Sequence, residues 1–393
     1  MADRNHSATP LLSVVMANFE AGDTIVRALR SVLDQTVADL EIIVSDDGSA
    51  DQSLAHVRHL MALDPRIRLL ESDRNHGPAH CRNRALAAAQ GTWIAIVDSD
   101  DILHPERFER LLAAATVHDA DIVADDLLLF FEDGTPPSLM LGDNAGHVFM
   151  VSPERWVLAG VDGSPSLGYL KPLIRADRLG TIRYDETLRI GEDYDLVLRL
   201  LLSGVTMLVV PEPYYLYRRH SGSISHRLSV PDMEAMLSRQ VDLLQAGGPF
   251  SAPLTAALNR RIATLRQGLS YERLIAAIKN RRVAMAATEL IRNPGHVARL
   301  WRSFREGRNR RATPRTQPAF AAPKNLSLGA ATVPAYIPPH ATDWSAPRPR
   351  TIWRDLAANR GAGVLVTDAA GRYAAGFIPE AQVTVAPSLE TAS

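Results

Sequence analysis

The sequence predicts an α/β protein built on a doubly wound, mostly parallel sheet flanked by helices, and three observations lead there. From Leu11 onward, short apolar runs alternate with longer segments of helical period, the pattern of successive βα units. Polar and charged clusters fall just after the apolar runs, at the carboxyl ends where open α/β sheets bind ligands. With 393 residues and 46% hydrophobic content, the chain can fill a sizeable core.

The elements follow in order. Strands are predicted over 12–16, 41–44, 67–70, 93–97 and 122–124. Between the first two, Ile25, Leu29, Val32 and Leu33 recur at helical spacing, and Leu54, Val57 and Leu60 do so after the second. The strands run into "ANFEAGDT", "SDDGSADQS", "ESDRNHGPAHCRNRAL" and "DSDD". An ordinary connection needs only a Gly, a Pro or one capping residue; four enriched strand ends in a row point to one shared site.

Composition excludes several classes. Lys+Arg 43 against Asp+Glu 44 gives a formal net charge of -1, so no global basic field suggests a nucleic-acid partner. A single cysteine, Cys81, rules out an internal disulfide framework and is expected to pack in a helix. The opening "MADRNHSATP" lacks the apolar stretch of a secretory signal, which makes the cytoplasm the default expectation. No window approaches the roughly 18 apolar residues of a membrane span.

The fourth strand end holds the sharpest signal. Asp98, Asp100 and Asp101 crowd within four residues, and carboxylates that close raise one another's pKa unless something positive sits among them. A divalent cation is the natural candidate, and hard oxygen ligands suit Mg²⁺ or Mn²⁺. Alternation along an extended end puts Asp98 and Asp100 on one side. Asp101 is open to a second reading, as a cap for the helix announced by Pro105.

Five stretches, "VVMANFEAGDTIVRALRSVLDQT", "IIVSDDGSADQS", "NHGPAHCRNRAL", "WIAIVDSDDILHPERFERL" and "RIGEDYDLVLRLL", resemble the successive motifs of family 2 glycosyltransferases of the GT-A fold, with succinoglycan-type exopolysaccharide enzymes the nearest group. The resemblance runs over about residues 11–225. It implies an inverting, metal-dependent transfer from a nucleotide-sugar donor, a UDP-sugar favoured, to a saccharide or lipid-linked oligosaccharide acceptor in cell-surface polysaccharide synthesis.

It also implies roles. Asp100 is the direct metal ligand, and Asp98 is shared between ribose and metal. Asp47, then Asp46, accepts from the nucleobase, although Asp-Gly also makes turns. Asn18 and Glu20 sit beside the base, where "ANFE" departs from the family's usual "TYN". Asn75 lies in the following loop, and Arg82, near a helix start, contacts the nucleotide, since a helix N-terminus and an Arg fork both suit phosphate; Arg84 is taken as a surface ion pair. Asp193 is the base that takes the acceptor's proton, Glu192 its neighbour, and Asp195 a first-turn acid. His220 is expected to touch metal or phosphate from a closing loop, against the alternative of a surface residue, with Arg218 a weaker candidate. Trp156, Tyr169 and Lys171 are acceptor-side candidates. Two other functions stay open: a nucleotidyltransferase, disfavoured by the lack of a Gly-rich, Lys-containing first loop, and a non-catalytic nucleotide-sugar-binding assembly protein.

The expected organisation is an N-terminal tail over 1–10, a catalytic domain over 11–228 divided into a donor half (11–105) and an acceptor half (106–228), a helical extension over 229–312, and a Pro/Ala-rich tail over 313–393 with a small hairpin. In the extension, helices are predicted over 233–244, 253–267, 271–279 and 283–291. A basic, Trp-bearing helix over 294–311 suits either peripheral contact with the inner face of a membrane or docking on the protein itself.

Overall fold

The computed structural model describes residues 9–301, apart from 23, 132–137, 143–146, 220–227 and 249, and the backbone of five short strands between 326 and 385. A ten-stranded sheet forms the centre. Its first half alternates as expected: β1 (Leu12–Asn18), α1 (Thr24–Leu33), β2 (Leu40–Asp46), α2 (Ser53–Leu63), β3 (Ile67–Leu70), α3 (Pro78–Ala88) and β4 (Trp93–Ile96). These four strands are parallel, in the order β3-β2-β1-β4. β1 carries Leu12, Val14, Val15 and Met16 with no exposure, as a strand covered by helices on both faces requires.

The second half is less regular. It holds β5 (Ile102–Leu103), α4 (Arg107–His118), β6 (Ile122–Phe131), β7 (Ser138–Leu139), β8 (Phe149–Met150), α5 (Pro153–Leu158), β9 (Leu173–Arg175), α6 (Ala176–Leu179), α7 (Glu192–Leu202) and β10 (Met207–Arg219). The order continues β4-β9-β6-β10-β5, with β7 beside β6 and β8 beside β10. β9 runs antiparallel to both β4 and β6. A strand that starts where its parallel neighbours finish brings the residues before it to their carboxyl rim. Register Ala95 to Leu173 therefore sets Lys171 beside the end of β4.

Asp101 does not cap a helix. α4 begins only at Arg107, residues 102–103 pair with β10, and the Asp101 carboxylate accepts from the Arg218 amide at 2.8 Å.

Three helices follow: α8 (Val230–Gln245), α9 (Ala252–Lys279) and α10 (Val283–Arg292). Ser229 and Asp232 close a reciprocal capping box at the start of α8. The two helices predicted over 253–267 and 271–279 are one continuous helix of 28 residues. Gly268 lies between the two expected segments, and a glycine costs a helix interior about 1 kcal/mol. A Cβ there would stand 2.8 Å from the Met233 methyl, so its bareness is what lets α8 pack close. Leu254, Ala257 and Leu258 of α9 join the main core. In the remaining strands, β11 (Leu326–Leu328) pairs with β12 (Ala331–Val333) and with β15 (Thr384–Val385), and β13 (Gly363–Thr367) pairs antiparallel with β14 (Ala374–Pro379).

Candidate active site

The carboxyl ends of β1, β2 and β3 knit into one rim. Asn18, at the end of β1, donates to Asp46 Oδ1 at 2.6 Å and to Ser53 Oγ at 3.2 Å. The Glu20 amide, at a left-handed φ of 49°, donates to Ser49 Oγ at 2.9 Å, leaving its side chain exposed. Asp46, expected at the nucleobase, has both oxygens committed: it accepts from Asn18, from the Gly48 and Ser49 amides at 3.0 and 2.9 Å, and from Ser49 Oγ at 2.6 Å. Its work is to shape the turn. Gly48 belongs to that turn by necessity, with φ 78° and the Arg74 backbone 2.8 Å from where a Cβ would stand.

Asp47 accepts from the His76 and Gly77 amides at 2.8 and 2.7 Å. It clamps the loop before α3 and keeps lone pairs in reserve, two per oxygen less one bond each. Asn75 stands exposed in that loop.

Cys81 is wholly buried behind the clamp. Burial, with the Asp47 charge adding to it, pushes its thiol up to about 12. At about pH 8 the native protein is therefore expected to resist thiol reagents and react only once denatured. Rapid labelling of the folded chain would contradict this.

At the end of β4 the geometry converges. Lys171 Nζ lies 2.7 Å from Asp98 Oδ2 and 3.1 Å from Asp193 Oδ2, so the two carboxylates approach within about 6 Å of each other. Arg82 lies 2.9 Å from Asp98 Oδ1, 2.6 Å from Glu192 Oε1 and 3.5 Å from Asp193 Oδ1. Arg82 was expected to fork phosphate oxygens; its buried guanidinium meets the protein's own carboxylates instead. Three acids thus surround two cations.

Burial opposes the charge on Asp98, but Lys171 and Arg82 more than offset it and hold that carboxyl at about 2. Burial also opposes the charge on Lys171, yet Asp193 and Asp98 keep its ammonium well above the ordinary lysine range. Glu192 goes the other way: burial and the adjacent Asp193 push it up despite Arg82. Asp195, in the same first turn of α7, is engaged elsewhere, with Arg199 at 2.7 Å and Arg239 of α8 at 2.9 Å.

A buried frame supports the cluster. Arg107 and Asp125 pair with neither side chain exposed, at 2.8 Å, and Arg107 also donates to the Lys171 carbonyl. The Asp98 amide donates to Tyr215 Oη at 3.1 Å. Sequence reasoning missed this frame; an arginine just after Pro105 and an aspartate inside a strand were its only signals.

Trp156 belongs to the core, not to an acceptor pocket. It is 2% exposed, stacks on Tyr194 at 5.7 Å and donates Nε1 to the Tyr194 carbonyl. The Arg261 guanidinium of α9 covers Tyr194 too, 3.8 Å from the ring centroid. Tyr169 is half-buried with its ring edge-on to Tyr217. His220 lies outside the described residues.

The acidic turn itself is suited to a hard cation. Asp100 is partly exposed, while the buried Asp101 keeps Oδ2 without a hydrogen-bond partner. Burial, then the charges of Asp100 and Asp98, raise Asp101 well above the carboxylate range, crowding of the kind a cation relieves. Among the described residues, no three His, Cys, Asp or Glu side chains form a ready-made metal cage. A Mg²⁺ or Mn²⁺ site that takes one or two carboxylates and completes its shell with phosphate and water needs none.

Comparison with known proteins bears on this arrangement. The profile of glycosyl transferase family 2 matches residues 13–158. The glycosyltransferase GlyG of Streptococcus pneumoniae is 30% identical over 219 residues, 54% of this chain and 72% of GlyG. The chain belongs to glycosyltransferase family 2. The succinoglycan biosynthesis protein ExoO of Rhizobium meliloti is 36% identical over 233 residues, 58% of this family 2 chain. The chain spans 66% of the length of ExoO and 64% of that of ExoU, under two thirds of each. Among solved structures, S. aureus TarS 1-349 in complex with UDP-GlcNAc aligns at a TM-score of 0.51 with 22% identity, covering 65% of this chain and 71% of that one. That likeness extends the family assignment to the fold.

Proposed function

We propose that this chain is an inverting, metal-dependent glycosyltransferase. It moves a sugar from a nucleotide-sugar donor, a UDP-sugar favoured, to a saccharide or lipid-linked oligosaccharide in cell-surface polysaccharide synthesis. The observation that carries the reading is the contact of one buried lysine, Lys171, with both Asp98 and Asp193. Leaving-group departure and acceptor deprotonation must occur on opposite sides of the same sugar carbon. Two carboxylates within about 6 Å, at the ends of different elements, suit those two tasks.

Asp193 is the base. It is placed to take the acceptor hydroxyl proton, with Lys171 Nζ 3.1 Å and Arg82 Nη1 3.5 Å from its two oxygens. Glu192 holds Arg82 from the other side. Asp47, Asn18, Glu20 and Asn75 line the donor-base end of the rim, with Asp47 the acceptor for the base because Asp46 is saturated. Asp100, with Asp98 and Asp101 beside it, would hold the divalent metal. When bound, the metal would neutralise charge on the departing diphosphate. The proposed setting is the cytoplasm, at the inner face of the membrane that carries a lipid-linked acceptor.

A panel of nucleotide sugars, UDP-GlcNAc first, assayed with and without Mn²⁺, tests this. Release of the nucleoside diphosphate that depends on the metal is the expected result. Pyrophosphate release would favour nucleotidyl transfer, and metal-dependent donor binding without turnover would favour an assembly protein.

A further inference from the structure

We infer that the helical segment over 278–301 forms a docking surface for an anionic lipid bilayer. A surface helix ordinarily turns its apolar stripe toward the protein and its polar side toward water. α10 and the helix over 295–301 depart from this. Three of their polar side chains, Glu289, Asn293 and His296, face inward onto one serine of α9: Glu289 Oε2 accepts from Ser270 Oγ at 2.7 Å, and Asn293 donates to that Oγ at 2.8 Å. His296, 2% exposed, brings Nε2 to 3.0 Å from the same atom and packs edge-on against Tyr271.

Leu290 and Leu300 are half-buried, but the other large apolar side chains face out. On α10, Val283 and Ile291 are 79% and 78% exposed, two turns apart on one stripe with Ala287 between them, and the helix buries no residue. On the next helix, Val297 and Trp301 are 58% and 65% exposed, one turn apart. Of the eleven large hydrophobic side chains exposed among the described residues, six fall within 278–301. The basic helix expected over 294–311 lies outside the described residues beyond Trp301.

Charge selects the occupant. Lys279, Arg281, Arg282 and Arg292 accompany the apolar groups, Arg299 lies over the Tyr271 ring of α9 at 3.9 Å, and the one acid of the segment, Glu289, is turned inward. A second copy of this face would oppose four cations with four more, which disfavours self-association. Exposed apolar side chains with a tryptophan among surplus arginines match an interfacial, negatively charged lipid surface.

Flotation of the full-length protein with vesicles is the test. Phosphatidylcholine vesicles with one quarter phosphatidylglycerol are compared with phosphatidylcholine alone. One variant carries Val283→Ser, Ile291→Ser and Trp301→Ser, and a second carries Arg282→Glu and Arg292→Glu. All five positions are exposed, and an unchanged Tm establishes that the variants fold. The expected result is flotation only with the anionic vesicles, reduced about tenfold in either variant. The inference is overturned if the wild-type protein fails to float, if both variants float as it does, or if the protein is a dimer that the serine variant converts to monomer. It is likewise overturned if binding requires an acidic protein and not lipid. Donor turnover in solution is read separately, so either reading can fail alone.

Discussion

Asp193→Asn is expected to lower the turnover of sugar transfer by about a hundredfold to ten-thousandfold, the range for removing a positioned general base. Asparagine keeps the size of aspartate and an oxygen for Lys171, 3.1 Å away in the native chain, but it cannot take a proton. Donor affinity and Tm should therefore stay near wild type, which separates a chemical defect from a folding one. Asp195→Asn is the informative control. It stands in the same helical turn, yet its carboxylate is spent on Arg199 and Arg239. Its loss should loosen the contact between α7 and α8 and lower Tm more than turnover. Transfer by Asp193→Asn within about threefold of wild type would remove Asp193 from the chemistry.

Arg107→Ala is expected to cost about 3–5 kcal/mol of stability, because it strands a buried carboxylate without its counter-charge. At roughly 2–4 °C per kcal/mol for a domain of this size, Tm should fall on the order of 10 °C. Asp125 already sits above the ordinary carboxyl range because burial outweighs even its bidentate arginine. Replacing both partners with apolar groups, Arg107→Met with Asp125→Leu, should cost less than the single change, since no buried charge is left alone. Thermal denaturation of the three proteins checks this, and a single variant as stable as the double would contradict it. The single variant should also lose activity beyond its loss of stability, because Arg107 holds the carbonyl of Lys171.

The sequence carried the donor half of the sheet almost whole. Its strands are buried on both faces and its helices have a clean apolar stripe, so periodicity marks both. The acids at the strand ends were equally visible, because three aspartates in four residues have no cheap structural use. Lys171 was legible only as an acceptor-side candidate, not as the partner of both Asp98 and Asp193. It reaches the centre through β9, a three-residue antiparallel strand too short to show any period. Arg82 drew notice because an arginine at the start of a helix attracts anions, and the anions beside it here are Asp98, Glu192 and Asp193. Trp156 illustrates the remaining limit, since an aromatic between turn signals has the same local pattern whether it lines a pocket or fills a core.

The long helix α9 links two places that local sequence could not relate. Arg261 rests on Tyr194, the residue next to Asp193; Ile278, at the other end, opens the outward apolar patch. At 1.5 Å per residue these two points are separated by about 25 Å of rigid rod. Under the proposed bilayer docking and the proposed lipid-linked acceptor, such a spacer would set a reach: the tethered glycan would have to project far enough to bridge that gap, and chains shorter than a few sugar units would be poor acceptors.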